Sequence, residues 1–215
     1  DLLTAYDGQS ITYDTIGNPT SYYTGTRWTF GWKNGRQLTT AQKSGSTTVI
    51  TNTYDAFGIR ESKTVGSTTY QYYTLDGKVV QEVRGNYIID YAYDQSGRPY
   101  KITVTNTSTG SSFYGYYLLN SQGDVVAIME ASGTIAVKYN YDPWGKLYSH
   151  YTAGTNGASL YQYNCLRYRG YYYDTDLEMY YLQSRFYDPA IGRFINADAA
   201  DYVDLAEISL NDTNL

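Results

Sequence analysis

The sequence predicts an all-β chain, in which antiparallel hairpins follow one another into a single sheet before a tyrosine-rich segment of different texture. Three observations predict it. A five-residue turn pattern, Tyr-Asp-x-x-Gly, recurs with a period near twenty; the stretches between turns alternate in the period-2 manner of half-buried strands; and tyrosine, at 29 of 215 residues, is the most abundant residue. Self-similarity at a fixed period marks a repeat architecture, in which each unit buries its face against its neighbours. Such a layout argues against an ordinary enzyme.

The clearest turns are, in order, Tyr13-Asp14-Thr15-Ile16-Gly17, Tyr54-Asp55-Ala56-Phe57-Gly58, Tyr93-Asp94-Gln95-Ser96-Gly97 and Tyr141-Asp142-Pro143-Trp144-Gly145. Weaker copies keep the turn without the tyrosine: Trp32-Lys33-Asn34-Gly35, Leu75-Asp76-Gly77 and Leu119-Asn120-Ser121-Gln122-Gly123. Their glycines stand 18, 23, 19, 20, 26 and 22 residues apart. Asp or Asn can bond its own backbone downstream, and Gly supplies a positive φ without a Cβ penalty. A basic residue often follows the Gly (Arg36, Lys78, Arg98, Lys146), where its stem can lie over the neighbouring strand.

Between the turns, residues 47–54 are β-branched almost throughout. Residues 68–73 lead to Asp76-Gly77 and 78–83 leave it; Asp-Gly between two such runs is a strong hairpin signal. Residues 87–93 enter the next turn and 100–104 leave it. The polar stretches 105–112 and 152–159 read as loops, and only 197–205 has a helical composition.

Composition narrows the function classes. A formal charge of −5 with scattered basic residues argues against nucleic acid as a partner, because phosphate binding needs clustered Lys and Arg. No apolar run is long enough to span a bilayer as a helix. Phosphate-binding loops and histidine pairs are missing, so no cofactor or metal is expected. Cys165 excludes an internal disulfide and reads as a small apolar residue packed in a strand. His150 reads as a surface or strand histidine. Trp28, Trp32 and Trp144 could stack on sugars, but packing within the sheet explains them as well. The core itself must lean on aromatic rings, which each bury a large apolar area.

From Cys165 onward the pattern becomes denser: Arg167-Tyr168-Arg169-Gly170-Tyr171-Tyr172-Tyr173-Asp174, then Met179-Tyr180-Tyr181-Leu182-Gln183-Ser184-Arg185-Phe186-Tyr187-Asp188-Pro189, then Ile191-Gly192-Arg193-Phe194-Ile195. These residues resemble the RHS repeat-associated core domain of the YD-repeat family. Its signature falls on Tyr168, Arg169, Gly170, Tyr180, Tyr181, Arg185, Tyr187, Asp188, Pro189, Gly192, Arg193 and Phe194. The upstream Tyr-Asp repeats match independently. The resemblance implies a curved, spiralling β-sheet, a shell or barrel-like wall, over 1–164. It implies a core segment plugging one end at 165–198, and a truncated downstream segment at 199–215. It further implies a secreted or surface-displayed bacterial protein whose shell encloses or presents a C-terminal toxin or effector. Alternatives are a filament or adhesin module that self-associates through open strand edges, or one that binds glycans.

Bacterial members of the family often cut themselves with paired aspartates and an arginine, a pairing suited to activating water. Arg193 and Asp198 match two of those positions and Asp188 is a weaker candidate. The second aspartate motif is absent, however, and Ala199 stands where proline is usual. The favoured reading is that Asp188 and Asp198 cap turns and that Arg193 pairs with a carboxylate.

Overall fold

The Tyr-Asp turns share one geometry. At Asp14, Asp55, Asp94, Asn120 and Asp142 the side-chain Oδ1 accepts the backbone N–H groups two and four residues downstream, at 2.8–3.0 Å. The main-chain oxygen of the same residue accepts the glycine N–H, and those glycines hold φ between +73° and +88°. Asp76-Gly77 instead forms a two-residue turn with positive φ at both positions, the arrangement whose twist matches the flanking strands, whereas Asn34-Gly35-Arg36 is a three-residue connection between the paired Lys33 and Gln37.

The computed structural model describes residues 2–183 and 185–196; Asp198 and the segments 197–205 and 199–215 lie outside the described residues. Within that range, fourteen strands from Thr12–Tyr13 to Leu147–Thr152 form one sheet in which each pairs antiparallel with the next in sequence. One repeat is therefore an up-and-down strand pair, and every Tyr-Asp turn falls on the same rim. Along that rim each aromatic residue ties its turn to the exit of the one before. Trp32 donates through Nε1 to the Pro19 carbonyl, Tyr54 to Leu38, Tyr93 to Val79 and Tyr141 to Val125, at 2.6–2.9 Å.

The ladder register also slips by one residue at the rim, at Thr12/Tyr13, Gly31/Trp32, Thr53/Tyr54, Ala92/Tyr93 and Asn140/Tyr141 among others. Bulges increase local twist, and repeating them at one rim curls the sheet. The curl is deep: Thr24 and Trp28 near one edge and Lys146 and Leu147 at the other line the same small cavity. The sheet remains open, with an edge at each end.

The concave face holds the core, including Phe30, Leu38, Ile50, Ile89, Ile102, Val104 and Tyr117. Within the curl lies a second sheet of four strands, Tyr172–Asp174, Met179–Leu182, Arg185–Asp188 and Arg193–Phe194. Leu177, Met179 and Phe186 complete the same core.

Two expectations need correction. The stretch 152–159 is not all loop, because a helix runs from Gly157 to Tyr163. It lacks a side-chain N-cap and forms for tertiary reasons: Leu160 is fully buried, and Tyr161 stacks on His150 with centroids 3.8 Å apart. Cys165 is buried but not in a strand; it lies on the connector between this helix and the core sheet. The other aromatic candidates divide, with Trp28 buried against Phe30 and Trp144 exposed.

Candidate functional site

The candidate site is the seat of the core segment within the curl. At its centre the wall contributes two cations from the strand Arg60–Val65. Arg60 donates through Nη1 to Asp174 Oδ2 at 2.6 Å, and Lys63 donates through Nζ to Asp174 Oδ1 and Asp176 Oδ2, each at 2.7 Å. The side chains of Arg60, Lys63 and Asp174 are at most 1% exposed. Burial alone would push the Asp174 carboxyl up, but Lys63 and Arg60 hold it well below the usual carboxylate range. The guanidinium of Arg60 also lies 4.5 Å from the Tyr181 ring centroid and 4.6 Å from that of Tyr72. Such contacts strengthen once water is excluded.

A second buried polar group adjoins the first. Glu82 accepts from Arg84 at 2.7 Å and from the Tyr172 hydroxyl at 2.9 Å, and Arg84 Nη2 lies 3.5 Å from Cys165 Sγ. Burial raises the Cys165 thiol, and the Glu82 charge raises it further, which opposes the reactive thiolate. Asn164 accepts from the Tyr117 hydroxyl and donates to the Leu166 carbonyl, pinning the connector to the wall.

The core-signature residues divide by task. Three tyrosines hold the last Tyr-Asp turn: Tyr168 donates to the Pro143 carbonyl, Tyr187 to Trp144 and Tyr180 to Gly145, at 2.8–2.9 Å. Tyr181 accepts the Arg60 N–H at 2.9 Å. Arg169 holds a left-handed φ of +52° while its N–H donates to Asp124. At Gly170 a Cβ would come 3.1 Å from the Pro99 ring, and at Gly192 it would meet the Trp144 ring at 2.9 Å. Arg185 lies 3.9 Å from the Phe194 ring centroid, and Pro189 lines the cavity between the sheet edges.

Asp188 is buried beneath the first strands. It accepts the Tyr22 hydroxyl at 3.0 Å, the Thr24 hydroxyl at 2.9 Å and the Ala190 N–H at 2.7 Å. Burial pushes its carboxyl up against these donors, which lower it. Arg193 stands opposite Asp188 in the strand register, whereas Asp198 lies outside the described residues. This geometry makes Asp188 a turn cap and an anchor to the wall. The buried cations were missed in the sequence, because plain alternation puts Arg60 and Lys63 on opposite faces; in the structure the register slips at Tyr54↔Arg60, so both face inward despite their odd spacing.

No family model matches the chain. It is 34% identical over 201 residues to the tRNA3(Ser)-specific nuclease WapA of Bacillus spizizenii, across 91% of this chain and 8% of that protein. It is 33% identical over 199 residues to the tRNA(Glu)-specific nuclease WapA of Bacillus subtilis subsp. natto, again across 91% of this chain and 8% of that protein. The chain belongs to the RHS/YD-repeat family. The crystal structure of TcdB2-TccC3-TEV shares this RHS fold with a TM-score of 0.69 at 18% identity, over 89% of this chain and 10% of that one. The chain thus spans 8% of the length of the two WapA proteins and 10% of that structure.

Proposed function

We propose that this segment is wall and plug of a secreted or surface-displayed bacterial RHS shell that encloses or presents a C-terminal effector. On this reading residues 1–164 are the wall, 165–198 the plug and 199–215 a truncated downstream segment. The observation that carries the reading is the buried Arg60–Asp174–Lys63 seat, which joins the wall to a segment more than a hundred residues away. A buried charge cluster is weak evidence for net stability, but it selects one docked arrangement because any other leaves charges unpaired. The relatives support the same reading. Their names carry different tRNA specificities, yet both share this segment, as expected of a common container and not of the part that chooses a substrate.

The test is protease protection in a full-length parent protein. The effector should survive a protease dose that digests it when expressed alone, and Asp174→Ala should expose it while leaving secretion intact. Digestion at equal rates with and without the shell would overturn the reading.

A further inference from the structure

Between the rim of Tyr-Asp turns and the core segment lies a cleft of about 560 Å³, with Lys78, Arg98 and Pro99 on the rim side and Arg169, Tyr172 and Tyr181 on the core side. Small-molecule pockets commonly measure about 300–1,000 Å³. Its apolar lining includes Val79 and Leu166, both buried.

The hydroxyls of three lining tyrosines are already engaged: Tyr172 donates to Glu82, Tyr93 donates to the Val79 carbonyl, and Tyr181 accepts from Arg60. Tyr93 and Tyr172 therefore have no hydroxyl proton left for a ligand, and the Tyr181 oxygen is taken. That suits an apolar body better than a sugar, whose hydroxyls each lose water and need a partner.

The mouth is cationic. Asp76 is the one carboxylate among the lining residues, against Lys78, Arg98 and Arg169. Arg98 is engaged by Asp94 at 3.0 Å. Lys78 lies 5.8 Å from the Tyr93 ring centroid and Arg169 lies 5.3 Å from that of Tyr168. Arg169 lines the cleft with its guanidinium hydrogen-bonded to Tyr168, on a left-handed backbone that a residue with a side chain seldom keeps unless its surroundings impose it. Here the Asp124 carboxylate imposes it through the Arg169 N–H at 2.9 Å.

We propose that this cleft binds a small amphipathic anion, an aryl or acyl carboxylate, with its apolar body against Tyr172 and Tyr181 and its charge met by Lys78 and Arg169.

Fluorescence titration of the full chain tests this with two probes, anilinonaphthalene sulfonate and its uncharged relative N-phenylnaphthylamine, followed by displacement with octanoate. The anion should saturate a single site, bind about tenfold more tightly than the neutral probe, and be displaced by octanoate. Lys78→Gln with Arg169→Gln should weaken the anion about tenfold and leave the neutral probe unchanged. Lys78→Gln alone, at an exposed strand end, should weaken it about threefold without risk to the fold. Equal binding of the two probes, many weak sites, or an anion affinity indifferent to both substitutions would overturn the assignment.

Discussion

At Asp174, burial and pairing act in opposite directions. Removing a carboxylate and two cations from water costs several kcal/mol per ion, and attraction offsets this only when every oxygen is well bonded. Asp174 meets that condition. Beyond Arg60 and Lys63, its Oδ1 accepts the N–H groups of Asp176 and Leu177 at 3.1 and 3.2 Å. Replacing it leaves Arg60 buried without its carboxylate and Lys63 with Asp176 alone, so Asp174→Asn should cost about 3–5 kcal/mol, a fall in Tm of roughly 6–20 °C for a chain this size. Because the folded carboxyl is depressed, its contribution is fully present above the unfolded value near 3.9 and is lost as pH falls toward the folded value. Wild type and Asp174→Asn should therefore differ by the same Tm at pH 7 and pH 5, and converge below about pH 4. Convergence already at pH 5 would show that the pair is not the latch. Asp188 runs the other way: its raised carboxyl favours the fold at low pH and loses that contribution as pH rises through its folded value.

At the scale of the element, the hairpin repeat is held by an Asx turn and a rung to the turn before it. The rung at Tyr93 can be removed while its ring is kept. Tyr93→Phe deletes the 2.8 Å bond to the Val79 carbonyl and should cost about 0.5–1.5 kcal/mol in urea unfolding. Amide exchange should quicken around Lys78 and Val79 and stay unchanged at the distant Asp14 turn; an even loss along the sheet would deny the rung a local role. The turns were legible because their chemistry is local: Asp14, Asp55, Asp94 and Asp142 each bond residues two and four positions on. The helix Gly157–Tyr163 was not legible, because Asn156, Gly157 and Ser159 read as a polar loop and the helix depends on Leu160 and Tyr161 meeting distant strands. The Arg60–Asp174 pair spans 114 residues, a separation that leaves no pattern in sequence. Tyrosine content foretold an aromatic interior without saying which rings would face Arg60.

For the whole molecule, the question is whether the open sheet completes itself on a second chain. Both edges would have to present long, matching runs of free backbone. The last strand, Leu147–Thr152, offers six residues with Tyr148 and Tyr151 exposed. The first, Thr12–Tyr13, offers two, and the small hairpin Ala5–Tyr6 with Gln9–Ser10 lies just before it. A very short edge strand is one of the ways proteins block edge-to-edge addition. The curl also brings both edges onto the core segment, where Thr24 and Lys146 share one cavity. Closure within the chain therefore competes favourably with growth between chains. Light scattering after size exclusion should give a constant mass near 24.3 kDa from about 1 to 100 μM, well below the concentrations at which a weak two-residue strand pairing could hold two chains together. Asp174→Asn should shift that behaviour toward association, because undocking the core segment exposes the concave face with Arg60, Ile89 and Ile102. Growth of the wild type into large polydisperse species would mean that the edges pair between molecules, and would favour a filament over the container proposed above.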